Sequence, residues 1–316
     1  MRALFVPLTL LSIACTSGGV APGSDADPAD LVLPDALTSG VDAGSPSPST
    51  ADASGISFEA AARDSATVAV DASPREAATS ADVGNGATKP GCKYAANKTG
   101  LSSFQQVGGL AFHVYAPTSY DPNVAHTVIV IMAGQDSDGT AEMAALWQPI
   151  ADSGEPLVLV VPKGSLPATD PTTYPTGANW SVDDLNHIQD LVPEIDDCYD
   201  VNVKKHILWG FSEGGFYGYL LGIGAASYFS GLAMGGSNTS FAQENGYPPA
   251  AEQWKIPVSH VQGTTDPNGL QGSIQDQADF EAAGSVFTLY QPTQGHTITP
   301  AQVLQQYNDL KGSTSP

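Results

Sequence analysis

The stretch His206–Gly215, HILWGFSEGG, decides how the rest of the chain is read. An apolar run leads into Ser212, and the segment that follows, Glu213 to Ala226, has the texture of a helix. Gly210 and Gly214 stand two places before and two places after the serine. G-x-S-x-G between a strand and a helix is the nucleophile elbow. The turn is sharp enough to force the serine into a strained backbone conformation. Side chains two before and two after it would collide with neighbouring elements, so glycine is required there. The hydroxyl then stands at the carboxyl edge of a sheet. The helix amino terminus behind it offers free N–H groups and a partial positive charge. Ser212 is therefore expected to be a nucleophile, against the alternative of a chance Gly/Ser turn.

Working outward, the sequence repeats one pattern. Apolar runs that read as strands occur at Ala111–Pro117, His126–Gly134, Pro156–Pro162, Lys205–Phe211, Phe229–Gly236, Ile256–Gly263 and Ser285–Gln291. Several are continuous rather than alternating, as in strands covered on both faces. Helical patterns lie between them, at Thr140–Asp152, Val182–Cys198, Glu213–Ala226, Gly272–Ala283 and Thr299–Leu310. Ser181 with Asp184 three places on reads as a helix start. Strands alternating with helices predict an α/β domain with a mostly parallel sheet. Residues 91–316 are expected to form it as one catalytic domain.

A serine needs a base to act at neutral pH. Of six histidines, His296, in TQGHTIT, falls in a glycine-flanked loop after the last strand, at the same sheet edge as Ser212. His260 sits inside a strand and reads as a packed core residue, and His206 begins the elbow strand at the wrong end. Asp266, in VQGTTDPNG, follows a strand at that same edge. A carboxylate there would hold the imidazole's tautomer and stabilise its cation. The chain order Ser212, Asp266, His296 fits this architecture. An oxyanion hole needs two converging donors. The expected pair is the backbone N–H of Glu213 and that of Gln135, with Asp136 as the alternative second donor.

Composition narrows the partners. The chain of 316 residues carries 33 acidic and 11 basic side chains, a formal charge of −22. Such a chain is repelled by nucleic acid and by anionic lipid. Its arginines, Arg2, Arg63 and Arg75, all precede residue 90. That argues against phosphoryl groups and strongly anionic substrates, which favour the arginine fork. No Cys or His spacing points to a metal, and no cofactor is expected.

The first fifteen residues, with Arg2, an apolar run and Cys15, read as an export signal. LSIAC resembles a bacterial lipobox, with lipidation at Cys15; ordinary cleavage and secretion is the alternative. Membrane contact is expected only through such an anchor. Residues 16–90, rich in Ala, Ser, Asp, Pro and Gly, read as a disordered acidic tether. Cys92 and Cys198 make an even pair in an exported chain and predict a disulfide, against two free buried thiols.

These motifs resemble the α/β-hydrolases, and most closely the secreted esterases of the polyhydroxybutyrate depolymerase and feruloyl esterase group. The resemblance covers about residues 92–312. It rests on VIVIMAGQDSDG, on the span from NWSVDD through the elbow, on QGTTDPNG and on QGHTIT. Two positions depart from the group. Ala133 stands where histidine is usual before Gly134, and Gln262 where histidine is usual before Gly263. The resemblance implies a carboxylic ester hydrolase and leaves the ester open, among feruloyl or acetyl polysaccharide esters and polyhydroxyalkanoates. A serine peptidase on the same fold, or a catalytically silent surface-binding lipoprotein, are the other readings. Long loops at Pro162–Trp180 and Asn238–Trp254 are candidate cleft walls. Tyr174, Trp180 and Trp254 on them are candidates to stack on a substrate ring, or simply to pack their loops; Phe216 and Tyr217 read as core. Oligomeric state is not readable.

Overall fold

The structure is a computed structural model that describes residues 88–89, 92–94, 99–106, 108–267 and 269–316. The export signal, Cys15 and nearly all of the proposed tether lie outside the described residues.

The sheet has eight strands: β1 (Gly100–Gln105), β2 (Ala111–Ala116), β3 (His126–Met132), β4 (Leu157–Pro162), β7 (Val201–Phe211), β8 (Gly231–Gly235), β9 (Val258–Val261) and β10 (Phe287–Tyr290). Their spatial order is β1-β2-β4-β3-β7-β8-β9-β10. From β4 to β10 every pair is parallel; β2 runs antiparallel to both β1 and β4. The α/β class with a mostly parallel sheet is therefore the observed one.

The helices are α1 (Thr140–Glu142), α2 (Gln148–Asp152), α3 (Val182–Cys198), α4 (Glu213–Gly224), α5 (Ser240–Glu244), α6 (Leu270–Ala282) and α7 (Pro300–Leu310). A π turn over Met143–Trp147 joins α1 to α2. A two-residue ladder, β5 (Leu166–Pro167) with β6 (Ala178–Asn179), lies in the long loop before α3.

The period of two along β3 divides the core. Val128, Val130 and Met132 pack with Leu185, Ile188 and Leu191 of α3, with Tyr219, Leu220 and Ile223 of α4, and with Phe280 of α6. Ile129 and Ile131 pack on the other face with Met143, Trp147 and Ile150, and with Val303, Tyr307 and Leu310 of α7. Covering both faces is what makes the central strands continuously apolar.

Two local signals act as read. Asp184 accepts hydrogen bonds from the backbone N–H of Ser181 and of Ser165, at 2.9 and 3.0 Å, so it starts α3 and ties it to the loop after β4. Cys92 and Cys198 form a disulfide. It joins the amino end of the described domain to the end of α3, beside the start of β7 and so at the sheet edge opposite Ser212. Edge strand β1 was not expected. Its residues alternate half-buried and exposed, and Ser102 and Ser103 dilute its apolar signal.

Candidate active site

The elbow has the geometry its glycines require. Ser212 has φ 57° and ψ −124°, the strained backbone of a tight strand-to-helix turn. A Cβ on Gly214 would lie 2.1 Å from the Met132 carbonyl oxygen, and one on Gly210 2.3 Å from the Gly214 carbonyl oxygen. The first oxygen is fixed at the end of β3 and the second in the first turn of α4, so a side chain at either position would force strand and helix apart.

The parallel strands β3, β7, β8, β9 and β10 all end beside this turn, and Ser212 N–H donates to the Gly235 carbonyl at the end of β8. The segment after β3 brings Gly134 against it: a Cβ there would be 3.5 Å from Ser212 Cβ. The loops after β9 and β10 bring Asp266 and His296. Ser212 Oγ donates to His296 Nε2 at 2.8 Å, and His296 Nδ1 donates to Asp266 Oδ2 at 2.8 Å. The three residues singled out in the sequence therefore meet at one edge of the sheet. The His296 side chain keeps 18% exposure, open to a reactant, while that of Asp266 keeps 1%. Phe211 lies against the imidazole, with ring centroids 4.9 Å apart.

Two backbone N–H groups lie beside Ser212 with no intramolecular acceptor among the described residues: that of Glu213, at the start of α4, and that of Gln135. The N–H of Asp136 is taken, donating to Asn179 Oδ1 at 2.8 Å. That favours Gln135 over Asp136 as a second donor. Asp136 itself has φ 61°, turning the chain just after Gln135.

The turn from 133 to 137 is strapped down by the long loop. Trp180 donates its indole N–H to the Ala133 carbonyl at 2.8 Å. Thr169 N–H donates to Asp136 Oδ1, Gln135 Nε2 donates to Thr169 Oγ1, and Ser137 Oγ donates to Glu142 Oε2. Burial raises the Glu142 carboxyl above its ordinary value.

A cavity of about 360 Å³ opens at the serine, lined by Gln135, Ser212, Glu213, Phe216, Tyr217, Ser240, Phe241 and Glu244. Burial pushes the Glu213 carboxyl up to about 7, with Asp136 and Asp184 nearby adding to the rise. Tyr217 and Phe241 pack with their rings tilted by 42°, centroids 4.6 Å apart.

Three loop expectations change. Trp180 is 2% exposed and spends its N–H on the backbone. It is a buried brace and has no free face for a substrate ring. Tyr174 and Trp254 are 43% and 46% exposed, but neither lines the cavity. The Asn238–Trp254 segment does contribute a wall, through Ser240, Phe241 and Glu244. Phe216 and Tyr217, read as core, line the cavity, and Tyr217 also packs its buried side against the core. With Glu213 they stand at i, i+3 and i+4, so one face of the first turn of α4 looks into the opening. That spacing was the available signal. His260 is a buried strand residue, as read. Among the described residues no cluster could hold a metal ion, and no helix is long and apolar enough to cross a membrane.

No family model matches the chain. A bifunctional acetylxylan esterase/xylanase of Neocallimastix patriciarum is 26% identical over 167 residues, which cover 51% of this chain. This chain spans only 22% of that relative's length. Among solved structures, a ferulic acid esterase of Anaeromyces mucronatus superposes with a TM-score of 0.50 at 14% identity, over 72% of this chain and 96% of that one. Its complex with ferulic acid gives 0.50 at 15%, over 76% and 94%. A dipeptidyl peptidase 4 of Porphyromonas gingivalis gives 0.51 at 16%, over 68% and 35%.

Proposed function

We propose that this chain, which has the α/β-hydrolase fold, is a serine-dependent carboxylic ester hydrolase whose catalytic domain spans residues 91–316. The observation that carries the proposal is the unbroken relay from Ser212 Oγ through His296 to Asp266, each step 2.8 Å. It lies at the carboxyl ends of parallel strands, where open α/β sheets bind ligands.

In this mechanism His296 Nε2 takes the serine proton as Oγ attacks the ester carbonyl carbon. The Nδ1–H bond to Asp266 holds the ring in the required tautomer and stabilises the imidazolium that forms. The carbonyl oxygen, now an anion, is received by the N–H groups of Glu213 and Gln135; each such donor typically contributes about 3 kcal/mol to the transition state. The imidazolium then protonates the departing alcohol, leaving Ser212 acylated. A water molecule, deprotonated by the same imidazole, releases the acid. The chain's own residues suffice for each step.

For substrate we propose esters of acetyl or feruloyl groups on polysaccharide. The named activities of the relatives point there, and the aromatic walls Phe216, Tyr217 and Phe241 suit a flat or small uncharged acyl group. Polyhydroxyalkanoate esters, suggested by the sequence motifs, form the second arm of the test. We further propose export with lipid attachment at Cys15; the Cys92–Cys198 disulfide supports an oxidising compartment. Palmitate labelling lost in Cys15→Ser would establish the anchor, and labelling that persists would reject it.

The experiment is turnover of p-nitrophenyl acetate, methyl ferulate, acetylated xylan and hydroxyalkanoate oligomers by the wild type and by Ser212→Ala. Wild-type turnover, abolished in the variant, is expected. Full activity in Ser212→Ala rejects the nucleophile, and cleavage of peptides without esters replaces esterase by peptidase.

A further inference from the structure

Asp266 receives a second line of hydrogen bonds, which reaches it from the core rather than from the cleft. Gln262, just past the end of β9, donates from Nε2 to Asp266 Oδ2 at 2.9 Å. Its Oε1 faces His260 Nε2 at 3.4 Å. His260 Nδ1 lies 2.7 Å from the hydroxyl of Tyr219. Gln262, His260 and Tyr219 are fully buried. Tyr219 belongs to α4, the same helix that Ser212 caps. The contacts thus close a ring: Ser212, His296, Asp266, Gln262, His260, Tyr219, and back along the first two turns of α4.

The donors have one direction. Gln262 presents its N–H to Asp266, so its Oε1 can only accept from His260 Nε2, and Nδ1 of a neutral ring is left to accept from the Tyr219 hydroxyl. The remaining proton of His260 is then on Nε2, directed at Gln262 Oε1. Burial pushes His260 down to about 4, although the Gln262 bond opposes it, so the ring stays neutral near pH 7. Asp266 Oδ2 accepts from Gln262 on one side and His296 on the other. A core that needed only filling would carry apolar side chains at 219, 260 and 262, since polar groups buried without partners are costly.

We propose that Gln262, held in orientation by His260 and Tyr219, is a positioning residue that fixes the Asp266 carboxylate and through it the His296 imidazole. This rests on the serine-hydrolase reading above. Without the amide, Asp266 Oδ2 loses the donor that shares it with His296, and the imidazole's partner is held less firmly. Asp266 is also left with more unshared negative charge, which holds the imidazolium more strongly.

Gln262→Met keeps length and removes both polar contacts. On p-nitrophenyl acetate its kcat is expected to fall roughly 10- to 100-fold, the scale of a small misplacement, with KM little changed. The acid limb of its kcat/KM–pH profile moves to higher pH. Gln262→His, which restores an N–H donor, recovers most of the rate. Tyr219→Phe shifts the limb in the same direction by less. In the resting protein, the downfield 1H resonance of His296 Nδ1–H, assigned by its loss in His296→Ala, moves or broadens in Gln262→Met. A wild-type rate, pH limb and resonance in folded Gln262→Met overturn the proposal. If Gln262→Met does not fold, an unmoved limb and resonance in Tyr219→Phe overturn it instead. Should the wild type turn over no ester, the hydrolase reading fails, while the resonance still tests the positioning.

Discussion

Gly236 passes so close to His296 that a Cβ on it would lie 2.8 Å from the imidazole Cε1. Its φ of +58° is also one that side chains resist. The same Cβ would lie 2.9 Å from Phe211 Cε2, and Phe211 packs at a tilt on the imidazole, so Gly236 abuts both rings. Gly236→Ala must therefore push the imidazole off its line to Ser212. We expect kcat to drop on the order of 100-fold, with a stability loss of about 1–2 kcal/mol from the left-handed backbone. Steady-state kinetics with a denaturant titration check both; an unaltered kcat would show that His296 is not confined in this way.

Trp180 supports the turn that carries Gln135. Trp180→Phe keeps most of the ring packing and removes the N–H that meets the Ala133 carbonyl. Leaving that buried acceptor unpaired costs about 1–3 kcal/mol. The looser turn should lower kcat more than it raises KM, because an oxyanion donor acts in the transition state. A variant with normal stability and normal kcat would remove Trp180 from the support of the site.

Stability and pH are linked through Glu252. It is 3% exposed, its Oε1 has no hydrogen-bond partner among the described residues, and burial raises its carboxyl to about 7 from an ordinary 4.5. The folded protein then binds the proton more tightly than the unfolded chain. Its contribution is fully present below about pH 4.5 and is lost as pH rises through 7. Asp276, raised to about 6 by burial, acts in the same sense. The melting temperature should fall between pH 5 and pH 8. Glu252→Gln should flatten that slope by on the order of 2 kcal/mol. Calorimetry across this range would refute the assignment if the variant's slope matches the wild type's.

The Cys92–Cys198 bridge closes a loop with a sequence separation of 106 and lies at the far end of β7 from Ser212. Chain-entropy arguments put its stabilisation at about 5 kcal/mol. Cys92→Ser with Cys198→Ser should lose stability on that scale while the folded protein keeps its kcat. A large fall in kcat without loss of stability would mean that the bridge reaches the site.

The legible parts of the site were those with local signatures. Ser212 stands out because its turn demands glycine at 210 and 214 whatever surrounds it. Asp266 and His296 were readable because each follows an apolar strand in a glycine-bearing loop, and parallel strands deliver such loops to one edge. Trp180 misled, since an aromatic in a long polar loop reads alike whether it faces solvent or lies beneath the loop. Phe216 misled in the opposite sense, and Tyr217 in part: apolar residues on a helix flanked by core read as core even where one side faces a cleft. Strand β1 was missed because edge strands need only one buried face and little apolar content.

By itself the sequence determined the alternation of strands and helices, the elbow, and which loops could carry an acid and a base, because these depend on side-chain period and turn sterics a few residues apart. The sheet order, with β4 and β3 exchanged relative to the chain, was a tertiary decision. So were the buried relay that reaches Asp266 through Gln262, the brace beneath Gln135 and the aromatic walls beside Ser212. Each depends on which distant segments share a face once both sides of the sheet are covered, and no local pattern encodes that.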